Sequence, residues 1–251
     1  MLAAVPAFAV LAVAAACAGA DQPGGTGDVV ATVPFGAGER AVYALHDNSG
    51  EIVARGILAV ADGPNGLVLE QWYWSAADAA AAESADQAAV TVDAATLKPF
   101  ALARTVTDGD RVDDYRSRYE VDAATGLAAT VMLTSDRDGK HEERELKLHD
   151  HYYDNETSLW LWRALRLVGG YEARYVSVNH LDRSQQSVSL RVIDSQTVEV
   201  PAGTFEAWRL QVRNGRATRI AWINVEAPHQ LVQWDNGTLV FRLETFEPAS
   251  P

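Results

Sequence analysis

Cysteine is nearly missing from this chain: Cys17 is the only one in 251 residues. A single thiol can form no internal disulfide, so the folded part is held by packing whatever the redox state of its compartment. Basic residues are also scarce, with 21 Lys and Arg against 34 Asp and Glu, a formal charge of -13. That balance argues against binding a phosphate backbone, which depends on Lys and Arg, so no nucleic-acid partner is expected. It argues equally against adsorption to anionic headgroups. No Gly-rich phosphate loop and no G-x-S-x-G elbow occurs. A Ser–His–Asp site scattered along the chain stays open, because such sites are recognised by geometry.

Charge of either sign is missing from Met1 to Ala20; the first charged side chain is Asp21. The leader MLAAVPAFAVLAVAAAC is apolar, and Ala14, Ala15 and Ala16 precede Cys17. An apolar run followed by small residues is the pattern of a cleaved export signal. Its reading is a bacterial lipoprotein signal over 1–16, with Cys17 lipidated. More than one acyl chain on that residue gives stable membrane attachment, where a single chain is marginal. A plain secretory signal cut near Ala16 or Ala20 and an uncleaved membrane helix interrupted by Pro6 are the alternatives. Residues 17–36 are small, Gly-rich and polar, the composition of a flexible linker. The expected location is extracytoplasmic, on a bacterial membrane.

The remainder, 37–247, reads as one β-rich domain. Asp47-Asn48-Ser49-Gly50, Asp62-Gly63-Pro64-Asn65-Gly66, Asp108-Gly109, Asn214-Gly215 and Asn236-Gly237 separate β-branched and aromatic runs. Such punctuation predicts eleven to thirteen strands in an antiparallel meander. Two segments break the pattern. Ser75 to Gln87 is alanine-rich without an apolar stripe, which suggests a short exposed helix or a loose insertion. Glu156 to Val168 predicts a buried helix, capped by Asp154 or Asn155 and ended at Gly169-Gly170. One buried helix among many strands predicts a mainly β fold: a curved antiparallel sheet, open or half-barrel, whose concave face the helix plugs.

The C-terminal third carries two further patterns, VEVPAGTFEAW over 198–208 and AWINVEAPHQLV over 221–232. With FGAGERAVY at 35–43 and DAATLKP at 93–99, these resemble the bacterial exported proteins grouped as domain of unknown function 3108. The resemblance implies a β-rich envelope protein with a lipoprotein-carrier-like fold, and no agreed activity. Read physically, Pro201 and Gly203 suit a hairpin turn rather than a site.

Candidate chemistry is thin. His149-Asp150-His151 would place two imidazoles on one face of a strand, but no third ligand follows at a fixed spacing. HEERE at 141–145 lacks the second His of a zinc-protease helix. Asp136 to Gly139 and Asp108 to Asp110 lack the ligands and closing Glu of a calcium loop. No metal and no cofactor is expected. Trp72, Trp74, Trp160, Trp162 and Leu165 are the candidate lining of an apolar pocket between sheet and helix, for which ordinary core packing is the competing explanation. Three functions follow. The first is a non-catalytic, lipid-anchored envelope protein binding a protein partner or polymer. The second is a carrier or sensor of a hydrophobic ligand such as an acyl chain. The third is a hydrolase with a dispersed site.

Overall fold

The computed structural model describes residues 26–76, 86–215 and 217–250. Cys17 and the leader lie outside them, as do residues 77–85 of the alanine-rich segment. The strands are β1 (Arg40–His46), β2 (Ile52–Gly63), β3 (Gly66–Ser75), β4 (Asp86–Val92) and β5 (Pro99–Asp108). Next come β6 (Arg111–Val121), β7 (Ala128–Arg137), β8 (Lys140–Lys147), β9 (Tyr152–Asp154) and β10 (Glu172–Asn179). The last are β11 (Ser184–Val200), β12 (Gly203–Asn214), β13 (Ala217–Asn224), β14 (Leu231–Asp235) and β15 (Val240–Glu247).

All fifteen belong to one sheet, ordered β8-β7-β6-β5-β4-β3-β2-β1-β15-β14-β13-β12-β11-β10-β9. The fold is therefore mainly β and almost wholly antiparallel, with only β9 running parallel to β10. Two meanders are joined through β1 and β15, with Tyr43 opposite Leu243. Bulges at Val42/Tyr43, Thr91/Val92, Val192/Asp194 and Trp222/Ile223 interrupt the ladders. Each adds local twist and bends the sheet.

The curvature brings the two ends of the sheet together without a ladder between them. Tyr152 stacks on Tyr119 at 5.8 Å, and the Tyr119 hydroxyl donates to Asp154 Oδ2 at 2.7 Å. The Ala128 N–H donates to the Tyr152 hydroxyl at 2.7 Å. Val131, Leu133, Leu148 and Val178 fill the space between, forming a second small core. The edge strand β8, KHEERELK, is charged along most of its length, which discourages pairing with another chain.

The helical segment is shorter than 156–168. A 3-10 turn at Asn155–Thr157 leads into α1 (Ser158–Leu161) and a second 3-10 turn at Trp162–Ala164. Asp154 caps it by accepting from the Glu156 N–H. It stops at Ala164 because another segment takes the carbonyl there: the N–H groups of Ala31 and Thr32 donate to Ala164 O at 2.7 and 3.3 Å. Leu165 is extended. The same contact corrects the linker expectation. Residues 26–36 are docked on the domain, with Val29 and Phe35 buried and Lys98 holding Asp28 at 2.6 Å. The composition of that stretch is linker-like, but two apolar side chains, an ion pair and the bonds to Ala164 O anchor it.

The plug is fixed by a buried ion pair. Arg163 donates to both Glu39 carboxylate oxygens, at 2.6 and 2.9 Å, and to the carbonyls of His229 and Pro228. Its guanidinium also lies 4.9 Å over the Phe35 ring. All these donors find acceptors, the condition under which a buried charge is tolerated. Trp160, Leu161 and Ala164 are fully buried beside it in the main core.

Candidate functional site

Between the plug and the concave face lies a cavity of about 460 Å³. Its wall follows from strand parity. On β3 the inward positions are Leu67, Leu69, Gln71 and Tyr73. On β15 and β1 they include Phe241 and Leu45, which face each other in register. Trp234 on β14 is paired with Phe241 and with Ala221 of β13. One apolar row thus crosses four strands.

The rings pack at angles, edge to face at the first and last contacts and tilted at the middle one. Trp162 lies 5.9 Å from Trp234, Trp234 lies 4.7 Å from Phe241, and Phe241 lies 5.8 Å from Tyr73. Gly56 makes the last contact possible, since a Cβ there would lie 2.6 Å from the Tyr73 ring.

A polar group adjoins that row and is internally satisfied. Arg104 forks onto Asp86 at 2.8 and 2.6 Å and reaches Glu156 Oε1 at 2.8 Å. Gln71 also donates to Glu156, and Tyr73 donates to Gln71 Oε1 at 3.0 Å. Burial pushes the Glu156 carboxyl up, but the Arg104 charge, His180 and the bonds from Asn155 and Gln71 together hold the group below its usual range. The two carboxylates in turn hold the Arg104 guanidinium protonated against its own burial.

A third region is polar and lacks partners. Arg219 Nε, Asn214 Oδ1 and Trp234 Nε1 are shielded from solvent and make no hydrogen bond among the described residues. All three residues line the cavity.

Of the five residues expected in a pocket, Trp74 and Trp162 border this cavity, while Trp72, Trp160 and Leu165 do not. Trp72 stands on the outer face of β3, opposite in parity to Leu69 and Gln71. Trp160, on α1 itself, and Leu165 are buried in the main core. The residues that sequence reasoning missed are Gln71, Tyr73, Arg104, Asn214, Arg219 and Phe241. Parity could have found the first two, since they continue the inward series from Leu67 and Leu69.

The His149-Asp150-His151 segment is a turn rather than a strand, with His151 at a φ of 60° and its Nδ1 3.3 Å from Asp28. Among the described residues no three His, Cys, Asp or Glu side chains converge as a metal site. Ser158 and Ser177 are among the residues that line the cavity, and its lining includes no histidine.

Fold and site together define a class: an open, barrel-like β protein with an aromatic cavity beneath a helical plug. One solved structure is similar in fold, the crystal structure of a beta-barrel-like protein of domain of unknown function DUF1849 from Brucella abortus. It is 10% identical, has a TM-score of 0.55, and the match covers 85% of this chain and 98% of that one. Weaker likenesses, each with a TM-score of 0.33, are to a "putative lipoprotein" from Parabacteroides distasonis and to a "putative exported protein" with a YmcC-like fold from Bacteroides fragilis. Their identities are 13% and 12%; they cover 86% and 87% of this chain and 99% of each partner. No curated protein matches the sequence. The family model for proteins of unknown function DUF3108 matches residues 73–244, and the chain belongs to that family.

Proposed function

We propose that this protein is a non-catalytic, extracytoplasmic binding protein that takes an amphiphilic small molecule into the cavity under its plug. The observation that carries the reading is the cavity itself. At about 460 Å³ it falls within the roughly 300–1,000 Å³ of small-molecule sites, which pair apolar walls with a few placed polar groups. A core built only for packing approaches crystalline density and leaves no space of this size. The aromatic row supplies an apolar wall, and the Arg104, Asp86 and Glu156 group supplies placed polar side chains. Native mass spectrometry of the purified protein tests this. A bound mass of a few hundred daltons, lost on organic extraction, is the expected result; a bare chain that also takes up no added amphiphile would contradict it.

The address rests on the leader. Cys17 follows an uncharged apolar run and three alanines, which supports cleavage and lipidation there. The expected outcome for Cys17→Ser is release from the membrane fraction. Retention of that variant in the membrane fraction would refute the anchor.

A further inference from the structure

The unpaired polar groups of the cavity sit together on one patch of sheet. Arg219 is opposite Val212 on β12, so Asn214 is its diagonal neighbour on the same face. Trp234 is opposite Ala221, so it is diagonal to Arg219 on the other side. Diagonal neighbours of this kind are about 7–8 Å apart, within the span of one small charged group held between long side chains.

Two of the three are donors only. The indole N–H of Trp234 and the guanidinium of Arg219 can accept nothing, and the Asn214 amide can turn its NH2 to the same point. A shielded donor without an acceptor is costly, and Arg219 Nε and Trp234 Nε1 are two such donors side by side. Elsewhere in this protein that demand is met. Arg163 has Glu39, Arg104 has Asp86 and Glu156, and Arg209 has Asp194. Arg219 has no carboxylate within ion-pair distance among the described residues. The two carboxylates lining the same cavity are both held by Arg104.

We infer that Arg219, with Trp234 Nε1 and Asn214, receives the carboxylate of a single-headed, long-chain carboxylic acid whose apolar tail lies along Trp162, Phe241 and Leu45. The inference rests on the amphiphile reading above and adds the headgroup to it. A planar carboxylate matches the guanidinium fork. One unit of negative charge neutralises Arg219. A second unit would remain unpaired in a cavity that already contains Asp86 and Glu156.

The test is a titration of the full chain with decanoate, decanol and decyl phosphate, followed by tryptophan fluorescence. Decanoate binds more tightly than decanol by about tenfold or more, the scale of a hydrogen-bonded charge. Arg219→Met removes that advantage, and an unaltered urea-unfolding midpoint reports that the variant is folded. Arg219→Lys restores part of the advantage, and Trp234→Phe reduces it severalfold. If decanoate and decanol bind equally and Arg219→Met alters neither, the headgroup assignment is overturned while the amphiphile reading stands. Decyl phosphate binding more tightly than decanoate overturns the single-charge assignment. If none of the three binds, both the headgroup and the amphiphile readings fail.

Discussion

Asp154 and His180 are both buried where the two ends of the sheet meet, and their titrations oppose each other. Burial pushes the Asp154 carboxyl from 3.8 up to about 7, more than its bonds from Tyr119 and the Glu156 N–H lower it. Burial pushes His180 from 6.5 down to about 4, despite the Glu156 carboxylate, and neither ring nitrogen has a partner among the described residues. A raised carboxyl contributes stability that is complete below 3.8 and lost as pH rises through about 7. A lowered imidazole contributes stability that is complete above 6.5 and lost as pH falls through about 4. Between these limits the native state holds one extra proton on Asp154 and lacks one on His180. The two slopes cancel, so the unaltered protein shows little dependence from this pair.

Single substitutions uncover each slope. Asp154→Asn leaves His180 alone, and stability then rises by about 1.4 kcal/mol per pH unit across the window, roughly 3 kcal/mol in all. His180→Phe keeps a ring against Tyr115, whose centroid is 5.6 Å away, and leaves Asp154 alone. Stability then falls by roughly 4 kcal/mol as pH rises from about 4 to about 7. Urea unfolding followed by tryptophan fluorescence at several pH values measures both. The double variant should be flat again. Slopes of the same sign in the two single variants would refute the reasoning, as would no slope in either. Glu156 titrates below its usual 4.5 and adds only a loss on the acid side.

Two further outcomes concern the plug and the cavity wall. Glu39→Gln leaves the Arg163 guanidinium buried without its carboxylate and should cost about 3–5 kcal/mol in urea unfolding; a loss under about 1 kcal/mol would mean that the backbone carbonyls of Pro228 and His229 suffice. Gly56→Ala drives the Tyr73 ring off Phe241 and should lower stability by about 1–3 kcal/mol. It should also change amphiphile affinity, and unchanged affinity would place the ligand away from that wall.

The strand pattern was legible because Gly, Asn and Asp mark most turns between alternating runs. The hairpin at Pro201 and Ala202, with Gly203 at a φ of 136°, lies where the sequence puts it. β9 was not legible: three residues carry no period, and its pairing with β10 is long in sequence. The helix was overextended because Leu165 to Val168 is apolar, and no local signal shows that residues 31 and 32 occupy the Ala164 carbonyl. For the cavity, tryptophan content was a poor guide. Trp72 is apolar yet faces outward, while Arg219 and Asn214 are polar yet share the inward parity of Ala221 and Val212. Polar residues near strand ends read as solvent-facing until register is known.

The most direct measurement is saturable binding of a long-chain fluorescent probe to the full chain and to Ala54→Phe. Ala54 faces inward between Leu45 and Ser75 and lines the cavity, so a phenyl ring there occupies ligand space. The account predicts one site per chain in the unaltered protein, competed by decanoate, and its loss in a folded Ala54→Phe variant. Binding that survives the filled cavity, or no saturable binding at all, would contradict it.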